Sequence, residues 1–187
     1  MAEERTGVVT MKGNPIALIG AEVKVGQKAP GFEVVAGDLS KVTLDQSKGK
    51  VRLISVVPSL DTPVCDQQTR RFNEEASKLP GNVAVLTISM DLPFAQKRFC
   101  STAGIAKVQV LSDHRSASFG QAYGTLIKDL RLLTRAIVVI DSSDTVRYVE
   151  YVKEVTSHPN YDAALDAVRK LAGATDAGLK PQAASYK

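Results

Sequence analysis

Val51-Arg52-Leu53-Ile54-Ser55-Val56-Val57-Pro58-Ser59-Leu60-Asp61-Thr62-Pro63-Val64-Cys65 carries a strand, its end and a helix start within fifteen residues. The run to Val57 is mostly apolar and rich in β-branched residues, the pattern of a strand buried on both faces. Pro58 marks its end. Thr62 then reads as an N-cap and Pro63 as the first helical residue, where a missing N–H is no loss. Cys65 therefore falls at the third helical position, with the helix expected to run to about Leu79 and stop at Pro80-Gly81.

That placement has chemical consequences. Unpaired N–H groups of the first turn, the positive end of the helix dipole and any nearby Arg all favour a thiolate over a thiol. An ordinary thiol, with a pKa of about 8.5, is only a few per cent thiolate at pH 7, and lowering it by two units corresponds to about 2.7 kcal/mol. Thr62 and Cys65 have capping-box spacing, so the Thr hydroxyl is expected to hydrogen-bond within the site. The competing reading is that Cys65 is a small buried hydrophobe, as free cysteines often are.

Working outward, Cys65, Phe72, Ala76 and Leu79 share one helix face, which points the sulfur toward the sheet. Arg70 with Glu74 and Arg71 with Glu75 read as weak i,i+4 pairs on the outer face. The next strand, Val83–Ser89, completes a βαβ unit. Asp91 opens a second helix with Pro93 in its first turn and Gly104 at its end, and Cys100 lies within it. A short strand over 108–111, a short helix over 116–123, a third strong strand over 136–140 and an antiparallel return over 146–152 follow.

Before the central stretch, residues 8–11 and 16–19 flank Lys12-Gly-Asn-Pro15 as a hairpin, and 42–44 is a short strand. After it, Tyr161, Ala164, Leu165, Val168 and Leu171 form the apolar stripe of a final helix. Strands alternating with helices, closed by a hairpin and a covering helix, predict a three-layer α/β fold. Residues 1–172 are read as one domain and 173–187 as a flexible C-terminal tail.

Composition narrows the function classes. The 187 residues suffice for a core without disulfide support, and two cysteines are too few for a secreted disulfide scaffold. The N-terminus has no signal-peptide core and no stretch is long enough to span a bilayer, so a cytoplasmic, reducing location is expected. The net charge of +4 is scattered among acidic residues, with no Trp and no basic stripe bearing stacking aromatics, which argues against nucleic acid. His114 and His158 stand far apart without ligand-spaced neighbours, so neither metal nor other cofactor is expected.

The chemistry becomes specific through a resemblance. Pro58-x-x-x-Thr62-x-x-Cys65 resembles the active-site motif of the peroxiredoxins, and the longer Pro-Ser-Leu-Asp-Thr-Pro-Val-Cys-Asp is similar to their thiol peroxidase branch. Ser89-Met-Asp-Leu-Pro-Phe-Ala-Gln-Lys-Arg-Phe-Cys100 resembles the segment bearing that branch's resolving cysteine. Leu111-Ser-Asp-His-Arg, Phe119-Gly-Gln-Ala-Tyr-Gly124 and Arg135-Ala-Ile-Val-Val-Ile-Asp141 match it in order, and the likeness runs to about Ala172. Leu60 departs from the usual Ile, a nearly volume-conserving change.

The resemblance implies a thioredoxin-like fold with an added N-terminal β-hairpin. It implies that Cys65 is the peroxidatic nucleophile, that Pro58 shields it from water, that Thr62 hydrogen-bonds thiolate or peroxide, and that Arg135 stabilises negative charge. Residue by residue, Arg135 also reads as an ordinary surface charge before a strand. Cys65 and Cys100, 35 positions apart, also read as two unrelated buried thiols. By resemblance they form an intramolecular disulfide after peroxide reduction, recycled by thioredoxin, in a homodimer acting on hydrogen peroxide and small alkyl hydroperoxides. A redox-controlled binding or sensor protein switched by the same disulfide is the alternative.

Overall fold

The computed structural model describes residues 2–175, the last two as backbone only. The chain opens with β1 (Glu4–Met11) and β2 (Asn14–Ile19), which pair antiparallel from Met11↔Asn14 outward. The turn between them is only Lys12 and Gly13, both at positive φ (50° and 80°), the two-residue geometry that matches strand twist. The expected hairpin is therefore present with a tighter loop, and Asn14 and Pro15 belong to its second strand.

Two short strands follow, β3 (Glu33–Val35) and β4 (Lys41–Thr43), then the central β5 (Val51–Val56). The chain continues through α1 (Pro63–Ala76), β6 (Val83–Ser89), α2 (Pro93–Ala103), β7 (Gln109–Ser112) and α3 (Ser118–Ala122). It ends with β8 (Leu126–Ile127), β9 (Ala136–Ile140), β10 (Val146–Tyr151) and α4 (Tyr161–Thr175). Among the described residues no helix is long and apolar enough to cross a membrane.

Seven strands form one sheet in the order β10-β9-β5-β6-β7-β3-β4, with β5 parallel to β6 and antiparallel to β9. Every residue of β5 is buried, as its composition predicted. Its side chains alternate between two cores. Val51 and Leu53 pack with Phe72 of α1, the α2 segment around Phe99 and Ala103, and Ala164, Leu165 and Val168 of α4. Ile54 and Val56 face Phe119 and Tyr123 around α3 together with Val23 and Phe32. Helices on both faces of this sheet make the three-layer, thioredoxin-like α/β architecture.

The hairpin is an annex with a purpose. β8 extends it to a second, three-stranded sheet, through Leu18↔Ile127 and Ile19↔Leu126. The Thr10 N–H donates to the Lys153 carbonyl at 2.7 Å, and the Val155 N–H returns to the Thr10 carbonyl at 2.8 Å. The Glu154 carboxylate accepts from the Gly13 N–H at 2.8 Å and the Thr10 hydroxyl at 3.0 Å. The hairpin tip is thereby held beside the loop that follows β10.

Several sequence expectations are corrected. β3 and β8 were not foreseen, being three and two residues long, too short to display a period. α1 stops at Ala76, three residues before Leu79, although Ala76 and Leu79 both pack on the predicted inner side. Arg70 pairs with Asp66, one turn earlier, instead of with Glu74, while the Arg71–Glu75 pair is present at 3.5 Å. α4 continues past Gly173 to Thr175, and the rest of the expected tail lies outside the described residues.

Candidate active site

Cys65 is the third residue of α1, fully buried against Val57 and Leu60. The first backbone bond of the helix runs from the Asp66 N–H to the Thr62 carbonyl at 3.0 Å, so the N–H groups before it lie outside any helical ring. Below the sulfur, the parallel strand order brings the C-terminal end of β5 to the site. Val56 pairs with Ala136 of β9, which sets Arg135 level with Val57 on the Cys65 side of the sheet.

Arg135 is 2% exposed, which excludes its reading as a surface charge. Its three donor nitrogens are used separately. Nη2 donates to Cys65 Sγ at 3.3 Å, Nη1 to Gln68 Oε1 at 2.9 Å, and Nε to the Val155 carbonyl at 2.9 Å. Gln68 is fully buried one turn after Cys65, and its amide donates to the Ser55 hydroxyl of β5 at 2.7 Å. Among the described residues Arg135 has no carboxylate partner within ion-pair distance. A buried guanidinium without a counter-charge is costly, and the sulfur is the group positioned to supply one.

Beside this cluster lies a cavity of about 340 Å³, with Pro58, Thr62 and Arg135 in its lining. Met11 and Lys12 from the hairpin tip, Leu130 and Leu132, and Val155 from the loop after β10 form its other walls. It is a largely apolar recess with one buried cation at its base. Such a space suits a small molecule with an apolar body and one polar, reactive end.

Similarity to known proteins decides the lineage. Residues 24–165 match the Redoxin family model. The thiol peroxidase of Halalkalibacterium halodurans is 65% identical over 161 residues, 86% of this chain and 96% of that protein. The thiol peroxidase of Bacillus subtilis is 56% identical over 163 residues, 87% and 97% of the two chains. The chain belongs to the redoxin family, among its thiol peroxidases.

It is accordingly a peroxiredoxin-type, thiol-dependent peroxidase. Solved structures agree on the fold. A peroxiredoxin-like protein from Aquifex aeolicus superposes with a TM-score of 0.83 at 44% identity, covering 91% of this chain and 98% of that one. A thiol peroxidase from Chromobacterium violaceum superposes at 0.77 with 21% identity, covering 87% and 95%.

Within this thiol peroxidase the sequence-predicted residues do not all converge. Pro58, Thr62 and Arg135 line one recess, whereas Cys65 is fully buried outside that lining and joined to it through Arg135; the Thr62 hydroxyl does not reach the thiol. It donates to the Ser59 carbonyl at 2.8 Å, because Thr62 sits in extended conformation (φ −110°) and its side chain falls back on its own turn. Cys100, near the end of α2, is half-buried among the side chains around Phe72 and Val85, a different packing cluster from that of Cys65. Both thiols are free, and Phe99 packs against both clusters. Burial pushes the Cys100 thiol pKa up from its ordinary value.

Sequence reasoning missed Gln68 and Ser55. A polar residue one turn after the cysteine, on the helix face shared with Cys65 and Phe72, was the available signal for Gln68. Asp91 was read as a helix opener, yet Leu92 holds the N-cap position of α2 and the Asp91 carboxylate points elsewhere.

Proposed function

We propose that Cys65 is the peroxidatic nucleophile and that the contact between Arg135 Nη2 and Cys65 Sγ at 3.3 Å, with both groups buried, is the observation that carries this reading. A guanidinium donor offered to sulfur complements a thiolate, which only accepts. The counter-charge of buried Arg135 is then Cys65 itself, and the same cation stabilises negative charge as the O–O bond breaks.

The peroxide enters the recess beside Pro58, with any alkyl group on the apolar walls. Thr62, whose proton is engaged by Ser59, presents oxygen lone pairs to accept a hydrogen bond from the hydroperoxide. The thiolate attacks one peroxide oxygen, the O–O bond breaks, and water or an alcohol departs after taking a proton, leaving Cys65 as a sulfenic acid. Pro58, buried at the cavity wall, limits water at the sulfur. Hydrogen peroxide and small alkyl hydroperoxides are the substrates this arrangement favours.

In the second half-reaction Cys100 condenses with the sulfenic acid, forming an intramolecular disulfide and releasing water. Because the two thiols belong to different packing clusters, this step requires part of α2 to leave its place. An external dithiol of the thioredoxin type then reduces the disulfide by exchange. Family membership supports this cycle, the homodimer and a cytoplasmic location.

The test is a single turnover: reduced protein, one equivalent of an alkyl hydroperoxide, then intact mass and non-reducing peptide mapping within seconds. The expected result is loss of two hydrogens and a peptide linking Cys65 to Cys100, with Cys65→Ser inert. Cys65 sulfenic acid that persists without that link would overturn the two-cysteine cycle and favour a sensor.

A further inference from the structure

Asp91 stands between β6 and α2, half-buried, and no step of the peroxidase cycle uses it. Its carboxylate accepts three hydrogen bonds. Oδ1 accepts from the Ser59 hydroxyl at 2.7 Å, and Oδ2 from the Leu60 N–H at 2.8 Å and the Ser89 hydroxyl at 2.7 Å. Its backbone is anchored too, the carbonyl accepting from the Ser112 hydroxyl at 2.5 Å. Buried Gln96 fastens α2 to the same place, donating to the Ser89 hydroxyl at 3.0 Å and the Leu111 carbonyl at 2.8 Å.

On the other side, Ser59 passes the anchorage to the nucleophile's helix. Its carbonyl accepts both the Thr62 N–H at 3.1 Å and the Thr62 hydroxyl at 2.8 Å. One continuous chain of hydrogen bonds therefore runs from the head of the Cys100 helix, through Asp91 and Ser59, to the N-cap of the Cys65 helix. Two adjacent groups of the turn, the Ser59 hydroxyl and the Leu60 N–H, depend on one carboxylate that is covalently continuous with α2.

We propose that Asp91 is a positioning residue that couples the two thiols, holding residues 59–62 in the peroxide-ready arrangement only while the head of α2 is docked. The proposal rests on Cys100 being the resolving thiol. When α2 shifts to let Cys100 meet the Cys65 sulfenic acid, with one disulfide formed and one water released, the Asp91 anchor yields and the turn relaxes. Reduction of the disulfide redocks α2 and restores the turn before the next peroxide arrives. Asp91 thus favours the first half-reaction and restrains the second.

The test measures the two steps separately. In a Cys100→Ser background the rate of sulfenic acid formation isolates the peroxide step; with Cys100 present, quenched samples and peptide maps give the rate of the Cys65 to Cys100 link. Asp91→Ala, which removes both charge-assisted hydrogen bonds to the turn, should slow the peroxide step at least about tenfold and speed disulfide formation severalfold. Ser59→Ala, which removes one arm and leaves the rest of the network, should move both rates the same ways by less, and serves if Asp91→Ala does not fold. Opposite movement is the signature of coupling, because a merely structural defect slows both. Two slowed steps, or two unchanged ones, would overturn the role of Asp91 while the parent's Cys65 to Cys100 peptide left the two-cysteine cycle standing. Absence of that peptide in the parent would overturn the cycle and the coupling together.

Discussion

Replacing Gln68 by Leu probes how the buried guanidinium is aimed. Gln68 joins β5 to Arg135, donating to the Ser55 hydroxyl at 2.7 Å and accepting from Arg135 Nη1 at 2.9 Å. Leu keeps most of the volume and removes both bonds. The bond to a charged donor is worth about 1.5–3 kcal/mol and the neutral one about 0.5–1.5 kcal/mol, so about 3 kcal/mol of stability is lost. For a domain of this size that is a fall in Tm of roughly 6–12 °C.

The kinetic effect is more diagnostic. With Nη1 released, the guanidinium keeps, among the described residues, the Val155 carbonyl and the sulfur, and it can turn toward the cavity. The peroxide step should slow about 10- to 100-fold, since each tenfold corresponds to about 1.4 kcal/mol of transition-state stabilisation. The assay is stopped-flow oxidation of reduced protein, run as a double-mutant cycle with Arg135→Met. If Gln68 acts through Arg135, Gln68→Leu should cost less than about threefold once Arg135 is gone. Equal slowing in both backgrounds, or a rate within about twofold of the parent, would refute the reasoning.

Three further outcomes are expected. The rate of disulfide formation should still be climbing above about pH 8.5, an ordinary thiol's pKa, because burial raises that of Cys100 and the docked, protonated form dominates the population before it opens; a plateau at or below that pH would contradict it. Asp113 is pushed up to about 6 by burial, despite accepting the Phe119 and Gly120 N–H groups, so its contribution to stability is full below about pH 4 and lost as pH rises through about 6. Denaturant titrations of the parent and Asp113→Asn should therefore differ in the parent's favour by about 2.5 kcal/mol more at pH 4 than at pH 8, and a pH-independent difference would remove that assignment. Gly20→Ala should destabilise the hairpin annex, because Gly20 has φ +105° and a Cβ there would stand 2.1 Å from the Gln121 carbonyl oxygen; an unchanged Tm would show that the close approach relaxes freely.

What the sequence disclosed follows from the physics of each element. β5 and β9 are buried throughout and β6 over its last five residues, and all three are rich in β-branched residues, so their composition alone marks them. β3 is made a strand by pairing with β4 and, at Val35, with β7, and β8 by pairing with the hairpin. The position of Cys65 was legible because capping chemistry is local. The hydroxyl of Thr62 was not, because three residues away the Ser59 carbonyl competes for it, and that competition depends on a turn held by Asp91 from another element. Gln68 and Ser55 were hidden for the same reason, since a polar side chain becomes a positioning group only when the register of β5 against β9 brings Arg135 above it.

The separation of the two thiols into different packing clusters has a consequence for how the peroxidase divides its work. As the proposed nucleophile Cys65 is best kept dry and aimed, and the buried cation, the apolar recess and the fixed turn would all serve that state. In the proposed cycle Cys100 leaves its own packing to resolve the sulfenic acid, so each stabilising contact of α2 that protects the first step would tax the second. Phe99 and the Asp91 network lie where these demands meet, the one by packing against both clusters and the other by bonding to both helix heads. Tightening either should favour peroxide capture and lengthen the life of the sulfenic acid, and with it the exposure of Cys65 to a second oxidation. Comparing overoxidation at high peroxide in Asp91→Ala and the parent measures that trade directly: the variant should accumulate less sulfinic acid per turnover, and an excess of sulfinic acid would mean that the network protects Cys65 instead of restraining Cys100.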